Sequence, residues 1–176
     1  MKKVIVVALM VFGICGFAGT KELNDAKAWK PIGATPIEVV FDQDENAIRF
    51  DVAIPSKEYK DVYPGFSVKK GSLSGVSGIT FEMKTVAVDG WIGNVGRIIV
   101  PRQEKHSGVF EYAPAINDTW KSVTVKFDAL SFNTAEVSSI QISIGGKCAG
   151  FKCYLRNITL LDKDGKPIDE LAKYSN

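Results

Sequence analysis

The sequence is short of the residues from which most active sites are built. It has one histidine, His106, and three cysteines, Cys15, Cys148 and Cys153. No serine sits in a G-x-S-x-G elbow, and a single histidine leaves little scope for a nucleophile with its base. Two cysteines five positions apart and one remote histidine do not supply the four ligands of a structural zinc site. Phosphate loops and dinucleotide fingerprints are missing. "GWIGNVG" is rich in glycine, but no strand-to-helix context follows it. No run of Lys or Arg exceeds two residues, which argues against nucleic acid as a partner. Helical periodicity is scarce too. Only "NDAKAWK" and "DELAKY" would make a turn or two.

What is present begins with a leader. "MKK" is a basic start, "VIVVALMVFGIC" is an apolar run too short to span a bilayer comfortably, and Gly16 and Ala18 stand where a signal peptidase reads small residues. Residues 1–18 therefore read as a secretory signal peptide. Cys15 follows Ile14, where lipid-modifying processing wants a small residue, so plain secretion is the reading. Removing Lys2 and Lys3 leaves 20 basic and 20 acidic residues, a net charge of zero. The expected product, residues 19–176, is one domain by length, with no transmembrane segment. A secreted or periplasmic location follows, and the overall make-up looks bacterial.

The rest of the chain is a series of short alternating runs. "TPIEVVFD" and "NAIRFDVAI" flank the polar turn "DQDEN" and read as a hairpin. "YPGFSVKKG", "SGITFEMKTVAV", "VGRIIVP", "SGVFEYAP", "WKSVTVKF", "VSSIQISIGG" and "CYLRNITLL" follow, each bounded by turn residues. About nine strands without crossover helices predict an antiparallel sandwich or barrel. In "GGKCAGFKCYL", Cys148 and Cys153 lie between two such runs, and an oxidising compartment predicts a disulfide pinning a hairpin loop.

"LSGVSGITFEMKT", "DTWKSVTVKFDAL", "EVSSIQISIGG" and "CYLRNITLL" occur in the order and spacing of a known family. The chain resembles carbohydrate-binding-module jelly rolls of the galactose-binding-like fold over about residues 37 to 161. The resemblance implies an all-β fold, an antiparallel jelly-roll β-sandwich of about eight to nine strands. It also implies that Trp120, out of phase with Val123, Val125 and Phe127, folds over the end of the sandwich; an exposed binding platform is the alternative. One departure stands out. Arg156 occupies a position before Asn157 and Ile158 that is often acidic in the family. By alternation it shares a face with Ile158, so it needs a carboxylate or a route to solvent.

Sugar recognition uses aromatic faces with a few placed polar groups. "VDGWIGNVGR" offers Trp91 between Gly90 and Gly93, with Asn94 and Arg97 as donors. Tyr112, opposite in parity to Val109, and Tyr63 in "DVYPGF" are further ligand-binding candidates. Trp29 reads as an anchor for the chain end, and His106 as a solvated loop residue. A glycosidase would need two carboxyls across one cleft; Glu82 and Glu111 are the pair that could share a surface. The oxygen-rich loops "FDQDEN" and "DKDGKPIDE" leave a structural calcium open, although the second lacks the EF-hand pattern and reads as a D–G turn. No other cofactor is expected. The sequence thus points to a secreted, non-catalytic protein that recognises a polysaccharide or oligosaccharide through a Trp-centred site. The alternative is a structural or adhesive sandwich that binds a protein partner in a secreted or cell-envelope assembly.

Overall fold

The computed structural model describes residues 19–32, 36–53, 59–87, 90–91, 96–101, 107–112, 118–127, 134–148 and 150–171. The strands are β1 (Trp29–Ile32), β2 (Ile37–Asp42), β3 (Ala47–Ala53), β4 (Tyr59–Ser67), β5 (Val76–Ala87) and β6 (Gly90–Trp91). They continue as β7 (Gly96–Pro101), β8 (Ser107–Tyr112), β9 (Lys121–Lys126), β10 (Ser139–Cys148), β11 (Gly150–Asp162) and β12 (Pro167–Ile168). Two antiparallel six-stranded sheets result. The first has the order β1-β4-β10-β7-β8, with β6 also on β10; the second has the order β2-β3-β11-β5-β9, with β12 also on β11. This is the expected all-β sandwich. Each of the nine alternating runs forms a strand, and β2 and β3 pair as the expected hairpin.

Alternation explains the core. In β3, β5 and β11 the residues Phe50, Phe81, Phe151 and Leu155 are fully or almost fully buried, and they meet Ile140 and Ile142 of β10. Trp29 closes one end. Its ring lies 5.8 Å from Phe50 and 5.9 Å from Phe66, and its indole N–H donates to the Leu23 carbonyl at 2.8 Å. It anchors the chain end, as its sequence context predicts. The helical turn expected in "NDAKAWK" appears as two short 3-10 turns, Lys21–Asn24 and Ala26–Ala28. Asp169–Leu171 form no helix, and the rest of "DELAKY" lies outside the described residues.

The longest strand, β11, carries a bulge. Its register with β5 shifts between Arg156 and Thr159, where Asn157 takes a φ of 54°. One extra residue reverses the parity of everything beyond it. Arg156 therefore leaves the core face while Ile158 stays buried. The N-terminal segment fills the gap in the ladder. Asn24 donates through Nδ2 to the carbonyls of Thr20 and Ile158, both at 2.8 Å, and its Oδ1 accepts from Ile158 N at 3.0 Å. Thr20 N donates to Ile158 O, and Thr20 Oγ1 accepts from Leu160 N while donating to Ile168 O. Gly19 suits this approach: a Cβ there would lie 2.6 Å from the Ile158 carbonyl oxygen.

The disulfide expected between Cys148 and Cys153 is not part of this structure. Cys148 ends β10 in one sheet and Cys153 lies in β11 of the other, so the segment between them crosses sheets instead of closing a hairpin. Cys153 is a free thiol on the core side of β11, in phase with Phe151 and Leu155, and burial pushes its ionisation far above the ordinary range. It is a small apolar core residue in this setting.

Candidate functional site

Residues directly opposite in antiparallel strands share a face, and residues two apart along a strand do too. In the first sheet Ile140 pairs with Phe66, and Ile142 pairs with Ile98, which pairs with Phe110. Ile140, Ile142 and Phe66 are buried, so this is the core face. The alternate positions make the outer face. There, Lys147 of β10 lies between Tyr59 of β4 and Trp91 of β6. Two positions along, Gly145 pairs with Asp61. Two further on, Ser143 pairs with Arg97, and Arg97 with Glu111. The β4–β10 register is the same on both sides of Tyr63, which puts Tyr63 in this last row. At about 3.3 Å per residue the first and last rows are about 13 Å apart. The track between them has glycine at its centre.

Three of the sequence candidates, Trp91, Arg97 and Tyr63, thus occupy one face of one sheet. Tyr63 is half-buried. Tyr112 does not join them. It pairs with Gly96 and is in phase with Phe110, so it belongs to the core face, while Val109 takes the outer one. The expected parity is reversed because β8 carries apolar residues on both faces. Asn94 and His106 lie outside the described residues. Tyr59, Asp61 and Lys147 were missed, although "YKDVYPG" places Tyr59, Asp61 and Tyr63 at alternate positions, a readable same-face signal.

Glu82 and Glu111 do not form a pair: Glu82 is on β5 of the second sheet and Glu111 on β8 of the first. Glu82 is engaged elsewhere. Its Oε2 accepts from Arg156 Nε at 2.6 Å and from Asn157 Nδ2 at 2.9 Å. This is the carboxylate that Arg156 requires. Asp61 and Glu111 share the outer face of the first sheet, but β10 and β7 lie between their strands. Three strand spacings give about 14 Å, beyond the roughly 5 to 9.5 Å of glycosidase carboxyl pairs.

The outer face of the second sheet holds a dense polar cluster around Trp120. This residue obeys the alternation and stands on the outer face, yet it is neither an open platform nor a plug over the core. The Arg156 guanidinium lies 4.0 Å from its ring centre, Lys84 Nζ lies 5.4 Å away, and Tyr154 meets it edge-on at 6.4 Å. Its indole N–H donates to Glu45 Oε2 at 3.2 Å. Glu45 also accepts from Lys84 at 2.5 Å. The Lys84 hydrogen bond, with the indole's, outweighs desolvation and holds the Glu45 carboxyl below its ordinary range. The backbone N–H of Glu45, helped by Arg49, does the same for Asp42, while burial pushes the Tyr154 phenol up. Trp120 fastens β9 to the β2–β3 turn across β5 and β11. Trp120→Ala is expected to lower unfolding free energy by about 1–3 kcal/mol, through the lost cation–π and ring contacts and the stranded Glu45. Urea unfolding checks this, and an unchanged midpoint would contradict the clasp. The effect is below that of a fully buried tryptophan because the ring is half-exposed.

The oxygen-rich loops use their leading carboxylates on their own backbone. Asp42 Oδ1 accepts from Glu45 N at 3.1 Å, and Asp162 Oδ1 accepts from Asp164 N and Lys166 N, both at 2.8 Å. Gly165, at a φ of 75°, completes the D–G turn. Among the described residues no three His, Cys, Asp or Glu side chains come together as a metal site. No helix among them is long and apolar enough to cross a membrane.

No protein-family model matches the chain. No curated protein matches it either. Solved structures do. Against the family 11 carbohydrate-binding module of the cellulosomal cellulase Lic26A-Cel5E of Clostridium thermocellum the TM-score is 0.51 at 16% identity, covering 77% of this chain and 88% of that one. A structure of carbohydrate-binding modules from the β-sandwich superfamily, described as promiscuous in specificity, gives a TM-score of 0.62 at 9% identity, over 83% of this chain and 62% of that one. A module specific for non-crystalline cellulose gives 0.51 at 9% identity, over 81% and 92%. At these identities the likeness is one of fold. The chain has the jelly-roll β-sandwich architecture of carbohydrate-binding modules.

Proposed function

We infer that this protein binds a glycan without cleaving it, on the outer face of the β1-β4-β10-β7-β8 sheet. The observation that carries this reading is the register. It gathers Tyr59, Tyr63 and Trp91 with Asp61, Ser143 and Arg97 on one face. Aromatic residues alternating with hydrogen-bonding ones suit pyranose rings, whose C–H faces stack while their hydroxyls seek polar partners. The fold adds support, because solved structures that share it include the family 11 module in complex with a β-1,3-1,4-mixed-linked tetrasaccharide. The wide separation of the Asp61 and Glu111 positions, the two carboxylates on this face among the described residues, supports a non-catalytic role. The leader over residues 1–18 would direct the protein out of the cytoplasm, where polysaccharides are met.

The test is a glycan array followed by titration of whichever glycan binds, with wild type and Trp91→Ala. A tryptophan at the centre of a recognition site contributes about 2 kcal/mol or more, so the variant should bind at least about 30-fold more weakly with an unchanged melting curve. Equal binding by a folded variant would remove Trp91 from the site. If wild type bound nothing across a broad array, the protein-binding sandwich would become the better reading.

A further inference from the structure

We propose that the N-terminal segment, once docked in the β11 bulge, closes the chain to removal of its own leader, so that hydrolysis of the Ala18–Gly19 bond has to precede the docking of residues 19–24. This rests on the reading of residues 1–18 as a secretory leader. Hydrolysis adds water across that bond, leaves a carboxylate on Ala18 of the leader and frees the amino group of Gly19. Only Gly19 separates the bond from Thr20, and Thr20 has no exposed surface. Its polar groups are all engaged. The N–H donates to Ile158 O at 2.8 Å, and the carbonyl accepts from Leu23 N at 3.1 Å and Asn24 Nδ2 at 2.8 Å. The hydroxyl accepts from Leu160 N at 2.8 Å and donates to Ile168 O at 2.6 Å. Lys21 N donates to Asp169 O, Glu22 Oε2 accepts from Leu171 N, and Leu23 is wholly buried. Gly19 itself lies so close to the bulge that a Cβ would meet Ile158 O at 2.6 Å.

A peptidase takes its substrate as an extended segment whose backbone is free on both sides of the bond to be cut. In the docked state the stretch that follows the bond is committed to β11 and β12. Cleavage then waits for local opening, and its rate falls with the open fraction. The position of the dock sets the order of events. Ile158, Leu160, Ile168, Asp169 and Leu171, which hold Thr20, Lys21 and Glu22, all lie at the opposite end of the chain. Until that stretch has been made and β11 has formed, Thr20 and Lys21 have no dock and the bond can be cut. Once they dock, the fold withholds it.

The experiment follows removal of the leader from the full chain. Precursor of residues 1–176 is made by cell-free synthesis, and signal peptidase in mild detergent is added either during synthesis or after folding, the latter verified by a cooperative melting curve. A second precursor carries a short Gly–Ser linker, glycine first, between Ala18 and Gly19, which moves the bond away from the docked segment. Products are identified by mass. Wild type should be cut during synthesis and at least about 100-fold more slowly after folding, the factor for losing about three hydrogen bonds together. The linker precursor should be cut at similar rates in both cases. Cleavage of folded wild type as fast as that of the folded linker precursor would overturn the proposal and leave the leader reading standing. Equal resistance of the folded linker precursor would also overturn it, because the protection would then not come from the docked segment. No cleavage after Ala18 in any arm, synthesis included, would bring down the leader reading and the proposal together.

Discussion

Phe50→Ala is expected to lower the free energy of unfolding by about 3–5 kcal/mol, the range for truncating a buried phenylalanine. Phe50 has no exposed surface and lies in β3 between Val39 of β2 and Cys153 of β11. The surrounding backbone is fixed by ladders on both sides, so it cannot collapse into the space left behind. The ring also supplies the edge contact that seats Trp29, which in turn holds the chain end through Leu23. A domain of this size has a total stability of about 5–15 kcal/mol, so the loss would be a large fraction of it. Chemical denaturation of the variant beside Phe41→Ala makes the comparison. Phe41 is 40% exposed, and its removal should cost far less. A change below about 1 kcal/mol for Phe50→Ala would contradict the packing described.

Asn24→Ala should come next, at about 1–3 kcal/mol, because it leaves the Ile158 N–H in the bulge without its acceptor, while the carbonyls of Ile158 and Thr20 keep Thr20 N and Leu23 N. One amide side chain serves both the N–H and the carbonyl of Ile158 and the carbonyl of Thr20. Asn24→Asp keeps the acceptor for Ile158 N but sets a carboxylate against two carbonyl oxygens, so it should be destabilising as well. Thr20→Ser retains the hydroxyl between Leu160 N and Ile168 O and should stay close to wild type. Urea midpoints rank the three, and an Asn24→Ala midpoint equal to that of Thr20→Ser would exclude the role given to the amide.

Strand positions were legible in the sequence because strands of a sandwich alternate between core and solvent. Nine runs could be read from residues such as Ile48, Phe50 and Val52 alone. Assignment to sheets was not legible, since alternation says nothing about which strands are neighbours; Glu82 and Glu111 therefore looked like partners. Parity failed where both faces are apolar. In "SGVFEY" Val109 and Phe110 are equally good core residues, and only pairing with Ile99 and Ile98 separates them. Arg156 was recognisable as a residue in need of a carboxylate, but the bulge that turns it toward Glu82 depends on Asn24, distant in sequence. The cysteine spacing suggested a hairpin because a change of sheet leaves no local signature. Trp91 and Tyr63 were identified from composition, whereas Lys147 acquires meaning only from the strands on either side of it.

The sheet order has a consequence for how the chain acquires its structure. The middle strand of each sheet is near the end of the sequence: β10 separates β4 from β7, and β11 separates β3 from β5. Until residues 139–162 exist, neither half of either sheet has the neighbour that completes its ladder, and the apolar sides of β3 and β5 have no closed interior. Such long-range pairing makes folding slow, because distant segments must meet before any contact repays the lost freedom. A chain whose central strands come last cannot complete either sheet until most of it has been made.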